Sequence, residues 1–82
     1  MKVIDIEKLE RIVPNGGSGT GYGQYLKFRV HFEDRTHKDV TILDWYNSDQ
    51  WPQFQEELNR TGTYIDNWNE IYNMFMTAFR YT

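Results

Sequence analysis

From Gln24 to Glu33 the side chains alternate without a break. Leu26, Phe28, Val30 and Phe32 fall on one side, and Tyr25, Lys27, Arg29 and His31 on the other. Successive side chains of a β-strand point to opposite faces, so this period of two predicts a strand with one apolar and one wet face. Asp34-Arg35-Thr36-His37 supplies polar turn material. The segment from Lys38 to Tyr46 then returns, rich in β-branched and aromatic residues: Val40, Thr41, Ile42, Leu43 and Trp45. Residues 24–46 therefore read as an antiparallel hairpin whose apolar side needs a cover.

The segment before the hairpin carries two signals. Val3, Ile6, Leu9 and Ile12 sit three apart, a spacing a short helix can use, whereas Val3-Ile4 and Ile12-Val13 are β-branched pairs. The second signal favours a third strand, irregular near Glu7 to Leu9, and a short helix stays open. Pro14-Asn15-Gly16-Gly17 stops this segment. Five of the six glycines lie between Gly16 and Gly23, which predicts a mobile connection over 14–23.

After Asn47 the period changes to that of a helix. Ser48 or Asp49 can cap it, Pro52 fits a first turn, Trp51, Phe54 and Leu58 share a face, and Gly62 suits a left-handed C-cap. Thr63-Tyr64-Ile65-Asp66 resembles a capping box with Asp in place of Glu. It would open a last helix with the stripe Ile65, Trp68, Tyr72, Phe75 and Phe79, reinforced by Ile71 and Ala78. Met74 continues that core side, and Met76 falls nearer its boundary. The expected fold is α+β: a small antiparallel sheet of two or three strands in the N-terminal half, with two C-terminal helices packed on one face. At 82 residues the chain has room for one domain, since domains typically run to about 100–150 residues.

Composition narrows the chemistry. The absence of Cys removes disulfides, thiolate zinc sites and Cys nucleophiles, and suits a reducing cytosol. Charges at Asp5, Glu7, Lys8, Glu10 and Arg11 leave no apolar signal region, and no apolar run is long enough to span a bilayer. A cytoplasmic protein without membrane contact is expected. The glycine-rich stretch lacks the spacing of a phosphate cradle and is not followed at once by a helix. His31 and His37 form no metal pair at helical spacing, and no serine has a visible base and orienter. Glu56 and Glu57 point about 100° apart on a helix, while Asp66 and Glu70, four apart, would share a face near a helix start. The sequence thus predicts no catalytic residue, no metal ligand and no cofactor: a non-enzymatic protein.

What remains is surface. Three Trp, six Tyr and five Phe exceed what so small a core can hide, and Tyr and Trp are enriched in binding sites. Residues 1–38 hold seven Lys/Arg against five Asp/Glu, whereas residues 39–82 hold two against seven. The leading expectation is a stoichiometric inhibitor whose acidic helical half, Asp49, Glu56, Glu57, Asp66 and Glu70 with Tyr64, occludes a basic, nucleic-acid-binding site on a partner protein. Ser18, Thr20 and Tyr22 are candidate loop contacts. The alternative is a nucleic-acid platform on the basic sheet face, Lys27, Arg29 and His31. A third reading is a structural or homo-oligomeric part, with surplus aromatics at a self-interface. In profile the chain is similar in kind to phage-encoded anti-defence proteins and toxin-immunity proteins, a likeness of composition that implies occlusion of a basic site.

Overall fold

A computed structural model describes residues 1–13, 24–44 and 49–80. The order of elements is β1 (Val3–Ile12), β2 (Gln24–Phe32), β3 (His37–Asp44), α1 (Gln50–Arg60) and α2 (Trp68–Arg80). The strands form one antiparallel sheet in the order β1-β2-β3, with both helices on its apolar face, an α+β fold as the sequence predicts. The predicted connection at 14–23, the end of the return strand at Trp45 and Tyr46, and the alternative cap Ser48 lie outside the described residues.

The N-terminal segment is a strand, and its odd spacing has a structural cause. The register between β1 and β2 shifts between Val3 and Asp5 and again between Lys8 and Glu10. Ile4 and Leu9 are thus extra residues, and each resets the alternation of faces. Val3 and Ile6, three apart, both reach the core for this reason. Past Leu9 the inward position falls to Arg11, and Ile12 ends exposed beside its partner Tyr25.

β2 and β3 pair without a shift. Arg35, at φ 72°, sits in the left-handed region of the turn between them. Asp34 steadies this turn: its Oδ1 accepts from the Thr36 N–H at 3.0 Å and from the Thr36 hydroxyl. Those hydrogen bonds, the hydroxyl's first, hold the Asp34 carboxyl below its ordinary range.

Leu26, Phe28, Val30 and Phe32 meet Val40 and Ile42 on one side, Val3 and Ile6 on the other, and the helices above. Three rings lock this stack. Phe28 meets Phe54 edge-on at 5.9 Å, and Phe75 lies 4.4 Å from Phe54 and 5.3 Å from Phe28. Trp51 lies over Phe54 and meets Tyr72 edge-on at 5.2 Å.

The start of the last helix differs from the sequence reading. No capping box forms at 63–66, because residues 63–67 are not helical and α2 begins at Trp68. Ile65 is buried outside the helix, and Asn67 O accepts the first helical bonds, from Glu70 and Ile71. Asp66 and Glu70 therefore share no helix face. The buried stripe of α2 is Ile71, Phe75 and Ala78, flanked by half-buried Trp68, Met74, Met76 and Phe79, while Tyr72 is exposed. In α1, Phe54 and Leu58 are buried with Trp51 packed beside them. Asp49 occupies the N-cap position without a side-chain capping bond, and Gly62, at φ 80°, supplies the left-handed residue after the helix.

Candidate functional site

The wet face of the sheet is striped by charge. Lys27, Arg29 and His31 form a central basic column on β2. Opposite them on β1 stand Glu10, Glu7 and Asp5, and on β3 Asp39 faces Arg29. The Arg29 guanidinium reaches both Asp39 oxygens, at 2.8 and 3.1 Å, and Lys27 Nζ lies 3.9 Å from the same carboxylate. His31 Nε2 lies 3.1 Å from Glu7 Oε1. The hydrogen bond to Asp39 raises the Arg29 pKa, and the Arg29 guanidinium holds the Asp39 carboxyl below its ordinary range. A polyanion needs cations free to replace its counterions. This basic column is one strand wide and engaged by carboxylates from both sides.

The six acidic-half candidates do not come together. Glu56 and Glu57 both pair with Arg60, Glu57 at 3.2 Å. Asp66 receives the Met1 amino group at 3.3 Å, beside the start of β1. Glu70 is exposed in the first turn of α2. Asp49 lies with Trp51 and Pro52 in a small groove shared with Met76 and Phe79, toward the other end of α2. The Tyr64 side chain is 80% exposed, with no packing to hold its ring. Ser18, Thr20 and Tyr22 lie outside the described residues. Among the described residues no group of three His, Asp or Glu is placed to hold a metal ion, and no helix is long and apolar enough to cross a membrane.

Two side chains that sequence reasoning passed over organise the sheet edges. Asn67, 5% exposed, accepts from the Val3 N–H at 3.0 Å and donates to the Val3 carbonyl at 2.8 Å. Gln53 of α1 does the same on β3, accepting from the Leu43 N–H at 3.1 Å and donating to the Leu43 carbonyl at 3.4 Å. A carboxamide carries the donor and acceptor of a peptide group, so each fills the place of a neighbouring strand. Nothing in the one-dimensional sequence separates these two amides from the other Asn and Gln residues.

Beyond Val3 the edge of β1 opens. The Phe32 N–H donates to the Thr36 carbonyl, so Phe32, Val30 and Phe28 bond toward β3, and His31 and Arg29 toward β1. Their partners Asp5 and Glu7 bond inward, which turns the N–H and C=O of Ile6 and Lys8 outward. Those groups have no partner among the described residues. Beside them α2 stands off the strand, leaving a cleft of about 700 Å³ between residues 5–8 and Asn73, Met74, Thr77 and Ala78. Lys8 marks one end of it, its ammonium donating to the Phe79 carbonyl at 2.9 Å. Asp5 and Glu7 stand on the strand lip, Asp66 lies beside the start of β1, and Glu70 is in the first turn of α2.

No protein-family model, no curated protein and no solved structure matches this chain.

Proposed function

We propose that this chain is a protein-binding module, without catalytic activity, that docks stoichiometrically on a basic surface of a partner protein and occludes it. The observation that carries this reading is the β1–α2 cleft with Asp5 and Glu7 on its lip. Carboxylates beside a concave, partly apolar surface steer a cationic partner and give it apolar surface to bury once docked. The contact centres on β1 and the start of α2, so Asp66 and Glu70 are retained from the acidic set. Glu56 and Glu57, on α1, do not line the cleft and pair with Arg60. A Cys-free chain of this kind suits a reducing compartment such as the cytoplasm.

The test is capture from the native cell with wild type and with Asp5→Lys/Glu70→Lys, followed by titration of the purified captured protein. Both positions are exposed, and neither has an ion-pair partner among the described residues. The expected result is a one-to-one complex that weakens with the double variant and weakens again as salt rises from about 0.05 to 0.3 M. A complex indifferent to both the variant and salt would overturn the reading.

A further inference from the structure

We propose that β1 accepts an extended segment of the partner as a fourth strand, with basic side chains on the wet face of the sheet and apolar ones in the cleft. This rests on the protein-binding reading and specifies its chemistry. Ile6 and Lys8 present outward N–H and C=O groups two residues apart, the repeat an antiparallel or parallel neighbour needs. The register shifts at Ile4 and Leu9 bound this stretch, so a guest of about five residues fits between them.

Alternation then dictates the guest's composition. Its residues on the wet face lie beside Asp5 and Glu7, which calls for Lys or Arg. Its alternate residues point down toward Met74 and Ala78, flanked by Asn73 and Thr77, and the apolar pair suits aliphatic side chains. The Lys8 ammonium is no obstacle to the basic ones, because it lies on the helix side, held by the Phe79 carbonyl. A second copy of β1 is the wrong guest: Asp5, Glu7 and Glu10 share the wet face, so two such strands would set carboxylates against carboxylates.

The probe that tests this is a peptide of about seven residues alternating Lys and Val, followed by fluorescence anisotropy at low salt. Comparison peptides are an alternating Glu–Val sequence and the Lys–Val sequence with N-methyl groups on the residues that would donate to β1. Wild type should bind the Lys–Val peptide and not the Glu–Val peptide, and N-methylation should weaken binding about tenfold or more. Asp5→Lys/Glu7→Lys should abolish binding. Lys8→Pro removes one outward donor, which an edge strand tolerates, and should weaken binding about tenfold. Should Lys8→Pro fail to fold, the N-methylated peptide still decides. Charge-dependent binding unchanged by N-methylation overturns strand addition and leaves the protein-binding reading standing. No binding of the Lys–Val peptide up to about 1 mM overturns strand addition as well.

Discussion

The two edges of the sheet begin alike and diverge. Each is closed at one residue by a carboxamide from the helical half, Asn67 on Val3 and Gln53 on Leu43. Past that point β3 runs straight, with no register shift, and α1 packs closely against it. Its outward backbone groups at His37, Asp39 and Thr41 are flanked by mixed charge, and Asp39 is already engaged by Arg29 and Lys27. β1 is kinked twice, carries carboxylates on its wet face, and packs less closely against α2, with the cleft beside residues 5–8. An edge is a liability wherever it invites pairing, and charges and bulges are the usual protection. Both edges have charges; of the two, β1 combines a short open stretch with a concave, partly apolar wall. The difference lies both in the backbone, shifted twice in β1 and nowhere in β3, and in how near each helix sits to its strand.

The largest expected effect removes what the edges share. Phe75 joins both helices to the sheet through Phe54 and Phe28, so Phe75→Ala should cost about 3–5 kcal/mol in chemical denaturation and loosen the two edges together. A variant with unchanged unfolding would mean the footing is not common. Next come the amides. Asn67 is buried, so Asn67→Ala strands the Val3 groups away from water and should cost about 1–3 kcal/mol; half-buried Gln53→Ala should cost about 0.5–1.5 kcal/mol. Equal costs would erase the distinction between a buried and a solvated closure.

The smallest effect is acid dependence on the β3 side. Asp39 has a folded pKa below its unfolded value because of Arg29. Its contribution is therefore full above the ordinary value of about 3.9 and is lost as pH falls through the lower folded value. Melting of wild type and Asp39→Asn from neutral to strongly acid pH should show a small constant gap that closes only at the acid end. A gap that widens on acidification would contradict a lowered folded pKa at Asp39.

What the sequence made legible follows from how local each cause is. β2 reads correctly because one strand with one dry and one wet face needs only its own alternation. β1 reads ambiguously because Ile4 and Leu9 break that alternation and imitate a helical spacing. The false capping box at Thr63–Asp66 has a distant cause: Ile65 goes into the core, and Asn67 bonds Val3 across 64 positions of chain. The spacing of Tyr72 fits an inward stripe beginning at Ile65, and that stripe loses its first member because the helix starts at Trp68. The acidic set looked continuous in one dimension, yet Arg60 and the Met1 amino group divide it in space. The cleft has no sequence signature at all, since it depends on the stand-off of α2 from β1.

Amide hydrogen exchange, with and without the alternating Lys–Val peptide, sets the two edges against each other most directly. The N–H groups of Ile6 and Lys8, and those of His37, Asp39 and Thr41, all point outward and should exchange readily in the free protein. With the peptide bound, Ile6 and Lys8 should gain protection while His37, Asp39 and Thr41 stay as they were. Protection on the β3 edge, or binding with no protection at Ile6 and Lys8, would contradict β1 as the docking edge.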